Sequence, residues 1–516
     1  MALNGGPQIA LIAFNRFGLG ARAGDLAAAA SDPRGFVAEE LKKSETALIA
    51  ATALSSSKVA LQNVFEQEEQ RKQERARVAA LSTPNANAAQ NDASRPKSPQ
   101  EMSTPSMAAP SGGEMGMSPP SNAATANAAP NGVVSPAPMA NDKPKPDAAR
   151  DLYRGEVMAR LQKQMQAGAG FVERLVAFWS NHFAVSVAKG QHARASAGAF
   201  EREAIRPYVL GRFADMVKAV EQHPTMLYYL DNQRSMGPNS KGAANRKGGL
   251  NENLAREIME LHTLGVDGGY SQADVTALAR VITGWSFAGR DGRLGEPGTF
   301  IFVPNWHEPG EQKLLSVRYP QPDVAQGEAA LADLARHPAT ARHIAAKFVR
   351  HFMADDPPPP LVGRIEKTFH DTDGDLGAVS LALLNDDDAW NAPMTKMRNP
   401  WEFVVAMGRA TAFLPPEPQP IIGELTAMGM APWSPPGPNG FPDIVAAWAS
   451  PEAMKVRLDV AWRTAQRIKD IGQPVAMLDA TLGAAASQET REAVSRAESR
   501  QQALAILFMS PEFQRR

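Results

Sequence analysis

Fifteen residues, Asn251-Glu-Asn-Leu-Ala-Arg-Glu-Ile-Met-Glu-Leu-His-Thr-Leu-Gly265, gather three carboxylates, two amides, an arginine and a histidine into one short stretch. Helical spacing of about 100° per residue puts Asn253, Glu257 and Glu260 on one stripe. Leu254, Ile258 and Leu261 form an apolar stripe beside it. Two glutamates three residues apart, Glu257 and Glu260, can share a divalent cation or divide into acid and base. Arg256 and Asn253 could orient an anionic or hydroxylated ligand. A plainer reading competes: Glu252, Arg256 and Glu260 at i, i+4 and i+8 make an ordinary charge ladder, worth about a few tenths of a kcal/mol per pair. The ladder leaves Asn253, Glu257 and His262 in need of other partners. On a regular helix His262 falls on the side opposite the glutamate pair.

Two further histidines sit where chemistry could occur. His182, in Trp179-Ser-Asn-His-Phe183, ends an apolar helix rich in Phe171, Leu175 and Phe178. A histidine there serves either as a satisfied core or cap residue or as part of a site. His307 and Glu308, in Trp306-His-Glu-Pro-Gly310, lie in a loop, a favoured place for function on a rigid scaffold. The combined expectation is a polar pocket in a helical core, built from His182, His307, Glu257 and Glu260. Asn253, Arg256, His262 and Trp285 would contact the ligand, and Glu257 and Glu260 would hold any divalent cation. The cation-rich loop 239–249 reads as an anion cradle or a mobile surface loop. Asp371-Thr-Asp-Gly-Asp375 resembles a calcium loop, but its glycine comes too early, so Asp375 reads as a helix cap.

Several chemistries are set aside by what the sequence lacks. There is no cysteine, which removes disulfides, thiolate catalysis and iron–sulfur ligation. The His-Glu-x-x-His helix, the phosphate-binding glycine loop, the Gly-x-Ser-x-Gly elbow and the dinucleotide fingerprint are all missing. By elimination of cofactor motifs the reaction class reads as hydrolytic. A net charge of -1 supplies no field for nucleic acid or an anionic membrane. No apolar run reaches membrane-spanning length. No signal peptide is visible at the start, so a cytoplasmic home is expected from sequence alone, with export alongside a partner as the other course.

The elements that must position these groups read as helices almost throughout: an all-α, multi-helix, bundle-like array with one short β-hairpin around Thr299–Val303. Helices are expected over Gly170–Val187, Phe200–Glu221, Asn251–Leu264, Gln272–Trp285, Ala339–Met353, Asn399–Phe413 and Glu492–Met509, among others. Residues 1–82 read as N-terminal helices packing on the main domain, 149–516. Between them, 83–148 is rich in Pro, Ala, Asn and Ser, and reads as a disordered low-complexity insertion.

The stretch NENLAREIMELHTLGVDGGYSQADV (251–275), followed by ARVITGW (279–285), closely resembles the signature of the bacterial uncharacterised family "domain of unknown function 1800". IAFNRFGLGAR (12–22), WSNHFAVS (179–186), WHEPGEQKLL (306–315), HPATARHIAAKFVRHF (337–352) and LFMSPEFQ (507–514) match in order. The resemblance implies a mostly helical bacterial protein. It also implies a companion from an export-associated family similar to alkaline-phosphatase-like hydrolases. Where the family more often shows His-Asp-x-Gly, this chain has His307-Glu-Pro-Gly310. From the companion follows a competing expectation: a non-catalytic assembly or escort protein, using its helical surface and the tail Gln501–Arg516 as contacts.

Overall fold

The computed structural model describes residues 6–50, 54–82, 147–245, 249–470 and 472–516. The insertion read at 83–148 lies outside them except for its last two residues. Residues 1–69 and 147–516 form one compact unit, and the second, 70–146, is described only as the end of the Ser57–Ser82 helix. Helices dominate, as expected. Among the described residues only two short antiparallel pairs occur: Trp285–Phe287 with Phe300–Phe302, and Gln312–Leu314 with Val317–Tyr319. No helix of the described residues is long and apolar enough to cross a membrane.

Local chemistry sets most helix ends. Ser271 accepts from the Asp274 N–H while Asp274 accepts from the Ser271 N–H, which starts Gln272–Val281. Asn399 and Glu402 make the same reciprocal cap for Pro400–Thr411, whose first residue needs no N–H donor. Asp375 caps Leu376–Asn385, as its loop context suggested. The long helix expected over Phe200–Glu221 is instead broken. A π-turn at Glu201–Ile205 leads into a short 3-10 turn holding Pro207, and the chain re-enters a helix at Phe213. The run expected over Glu492–Met509 divides at Ser499, which caps the second helix, Arg500–Met509.

One large apolar core joins the start of the chain to its end. Phe17 packs on Phe171, Phe352 and Trp390, and Leu504, Phe508 and Phe513 belong to the same cluster. The tail offered as a partner surface therefore spends its apolar side chains inside. Buried arginines tie loops to this core: Arg409 donates to the carbonyls of Gly20, Gln164, Ala167 and Gly168.

Trp285, the expected pocket wall, is fully buried in the core, wedged against Gly327 of the Val324–Arg336 helix. A Cβ on Gly327 would stand 2.3 Å from the Trp285 ring. Gly327→Ala should therefore lose about 1–3 kcal/mol by overpacking, despite the better helix propensity of alanine. Gly363→Ala, in a helix with nothing near its added Cβ, should be neutral or stabilising. A thermal melt of the two variants showing equal shifts would refute the contact argument.

Candidate functional site

Two helices present side chains at four-residue intervals on facing sides, polar at every position but Phe178. Phe171–His182 presents Arg174, Phe178 and His182; Pro338–Phe352 presents His343, Lys347 and His351. The spacing stacks each set along one face. Arg174 Nη2 lies 3.2 Å from His351 Nε2, and Lys347 Nζ lies 2.9 Å from His182 Nδ1. Phe178 fills the gap between these contacts, edge-on to Phe348 and close to His351.

At one end of the seam His351 Nδ1 donates to Asp443 Oδ2 at 2.7 Å, leaving Nε2 as the acceptor that Arg174 satisfies. Burial is the main force on His351 and, with Arg174 and Arg516 nearby, pushes the imidazole down to about 4. Burial works to raise Asp443, yet His351, Arg516 and Lys396 hold it well below the usual carboxylate range. Arg174 also donates to Glu402 at 2.7 Å, and Arg516 approaches the other Glu402 oxygen at 2.7 Å. The result is a connected, charge-balanced network: Arg174, Arg516 and Lys396 against Glu402, Asp443 and Asp355.

This network floors a cleft walled by Trp401, Trp433, Val185, Pro432 and Phe441, with Arg160 and Gln164 on one side. The Arg160 guanidinium lies over the Trp401 ring at 4.5 Å from its centroid, and 5.6 Å from that of Trp433. Three residues lining the cleft carry a buried N–H without an acceptor: Arg160 Nε, Gln164 Nε2 and Arg174 Nε. Concavity, aromatic walls and a few convergent polar groups are what a small-molecule site requires.

At the other end of the seam His182 Nε2 donates to the carbonyl of His262 at 3.1 Å. His262 Nδ1 in turn meets Glu221 at 2.7 Å, with both side chains fully buried. His182 is lowered well below its ordinary value by burial and then by Lys347. Lys347 is itself lowered by burial, to about 8. His343 joins the cluster through the Leu261 carbonyl, and burial takes it down to about 4.

The helix that opened the sequence argument runs as α only over Asn253–Glu257; Ile258–His262 is a π-turn. The extra residue per turn is the correction to the regular helical wheel: residues five apart stack, and His262 swings toward Glu257, whose acidity it increases. Glu257 is half-buried, and burial nevertheless raises its pKa overall; Glu260 raises it further. Neither glutamate has a hydrogen-bond or ion-pair partner among the described residues. Asn253 is exposed, and Arg256 holds Glu252 at 3.4 Å and Gln272 at 2.9 Å, so one rung of the charge ladder forms.

His307 stands apart. It donates to the Thr283 carbonyl at 3.0 Å and packs on Phe302, at the edge of a separate open hollow with Asn239 and Lys241. Glu308 is buried, where it accepts from both nitrogens of Asn239 and so ties the two loops together. No hydrogen bond, ion pair or ring contact among the described residues links His307 to His182, Glu257 or Glu260. Nor does any group of three or more His, Asp or Glu side chains among the described residues form a metal-holding cluster.

The residues the sequence reading missed are those of the cleft. The i, i+4, i+8 stripe His343, Lys347, His351 was visible in the segment HPATARHIAAKFVRHF. Asp443, in a proline-rich loop, gave no local signal.

The fold is helical, and its cleft is aromatic-walled and charge-balanced. The chain belongs to the family described as a protein of unknown function, DUF1800, whose model matches residues 12–515. No curated protein and no solved structure matches it.

Proposed function

We propose that the protein is a hydrolase whose reaction centre is the cleft at His351 and Asp443. The observation carrying this reading is the 2.7 Å His351–Asp443 pair on the wall of an aromatic-lined pocket. Asp443 fixes the imidazole tautomer and offsets charge that develops on the ring. A neutral His351 can take a proton at Nε2 once a bound substrate oxygen draws Arg174 toward itself. Water then gives that proton to Nε2, and its oxygen bonds the electrophilic centre. The bond to the leaving group breaks, and the proton passes from the imidazolium to the leaving group. A divalent cation, if used, would sit at the rival locus of Glu257 and Glu260.

Turnover of a set of p-nitrophenyl esters tests this. His351→Asn should lower the rate about 100-fold or more, whereas Glu257→Gln with Glu260→Gln should leave it largely intact. The reverse pattern moves the centre to the glutamates. Absence of turnover in the wild type, or indifference to both changes, overturns the hydrolytic reading.

One observation favours a second reading, that of an escort for a companion hydrolase. Leu458 and Trp462, one turn apart on Pro451–Arg467, are 49% and 43% exposed. Co-purification with the companion that Trp462→Arg abolishes would support it, while an unchanged yield would remove this face as the contact.

A further inference from the structure

One guanidinium stands behind both His351 and Asp443. Residues 513–516 run antiparallel beside 396–398. The Arg398 N–H donates to the Gln514 carbonyl and the Arg516 N–H to the Lys396 carbonyl, each at 2.8 Å, and Met397 is bridged to Arg515. This pairing carries the Arg516 side chain inside, where the residue is 1% exposed. Its Nη1 donates to the main-chain carbonyl of His351 at 2.6 Å. That carbonyl lies in the last turn of Pro338–Phe352, where a helix leaves its carbonyls without partners of its own. Arg516 Nη2 lies 3.5 Å from Asp443 Oδ1, and Nε lies 2.7 Å from Glu402 Oε2.

These contacts bear on both polar neighbours of the His351 ring. Lys396 Nζ, 3.1 Å from Asp443 Oδ1, shares that oxygen with Arg516, so Oδ2 is left for His351 Nδ1. Glu402 gives its other oxygen to Arg174, which faces His351 Nε2. A planar fork can hold three acceptors in fixed directions, whereas an ammonium is a single point charge. Resting on the hydrolytic reading, we propose that Arg516 is the positioning residue of the cleft. Its guanidinium clamps the His351 main chain, Asp443 Oδ1 and Glu402 together, so that Nδ1–H stays on Asp443 and Nε2 stays against Arg174. Arg516 is not among the residues lining the cleft, so the clamp governs proton transfer and not ligand affinity.

Proton resonance of the full chain, labelled at the histidine nitrogens, reads the His351 Nδ1–H as the signal that disappears in His351→Asn. Arg516→Ala should lose this signal, and added guanidinium, but not ammonium, should restore it. In p-nitrophenyl ester turnover the same variant should lose about tenfold or more in kcat with KM changed by less than about twofold, and guanidinium should recover the rate. Arg516→Lys keeps the charge without the fork, so it should behave like Arg516→Ala, and it decides the matter if the alanine variant does not fold. A folded variant that keeps the signal overturns the clamp, whatever its kcat. So does a rise in KM with kcat unchanged, or recovery by ammonium as full as by guanidinium. Failure of both variants to fold makes Arg516 structural and also overturns it. Two results separate this proposal from the reading beneath it. No ester turnover by the wild type, or loss of the signal with kcat and KM unchanged, ends hydrolysis at His351 while the signal still decides the clamp. Turnover that needs His351 but is indifferent to both Arg516 variants keeps hydrolysis and ends the clamp.

Discussion

Glu402→Ala should destabilise the folded chain by about 3–5 kcal/mol, the cost of stranding a buried charge. Glu402 is buried at the third helical position of Pro400–Thr411, where one oxygen takes Arg174 and the other takes Arg516 and the Asn399 N–H. Burial alone would raise this carboxyl, yet Arg174 and Arg516 bring it below its ordinary value. Removing it leaves Arg174 without its ion-pair partner and Arg516 with only Asp443, at 3.5 Å, and the helix loses half of its cap. Glu402→Gln keeps the cap and part of the hydrogen bonding, so its loss should be smaller. Glu492→Ala, which breaks an exposed pair with Arg496, should cost less than about 1 kcal/mol. Urea unfolding of the three variants checks the order. If Glu402→Ala costs no more than Glu492→Ala, the floor of the cleft is not held by this network.

That network shows where sequence reading reaches and where it stops. Helix identity was legible because apolar period and caps coincide: Ser271 with Asp274 marks a start, and Asp375 marks another. Breaks were harder. Pro207 signals the end of the run from Phe200, but a π-turn before it has no composition of its own, since it arises from packing around Glu201 and Arg206. The Gln312–Tyr319 hairpin was invisible for a plain reason. Its turn residues, Leu315 and Ser316, take positive φ without the Asn or Gly that usually announces such a turn.

The site was half legible. A polar stripe on a helix is readable, but its partner stripe is chosen by tertiary packing. Thus His182 was singled out as a site candidate at the end of its apolar helix, where it is buried, while its neighbours Lys347 and His343 were not. The wheel drawn for 251–265 assumed a regular α-helix, and the π-turn at Ile258–His262 changed which residues share a face.

Acid should loosen this protein before any carboxylate network fails. His182, His343 and His351 are all lowered by burial, the last two to about 4. The folded chain keeps them neutral while the unfolded chain binds protons below about 6.5. Their contribution is therefore fully present above pH 6.5 and is lost as pH falls toward 4, at about 1.4 kcal/mol per pH unit for each. Three carboxyls act in the opposite sense: Glu156, Glu257 and Glu424 are raised by burial, so the folded state gains relative stability as they protonate. Their gain begins as pH falls through their raised folded-state values and is complete near 4.3, the unfolded-state value. The histidine effect begins at about pH 6.5, the unfolded-state value, and should set the sign of the slope from there to pH 5. Asp443 and Glu402, both held low, add their loss only below the ordinary carboxylate range. Urea midpoints measured between about pH 7.5 and 4.5 should fall steeply through this window, and His343→Gln should flatten the slope. A midpoint that stays level or rises between pH 6.5 and 5 would mean that the buried imidazoles are already charged in the native chain. His351 could not then serve as the proton acceptor in the cleft.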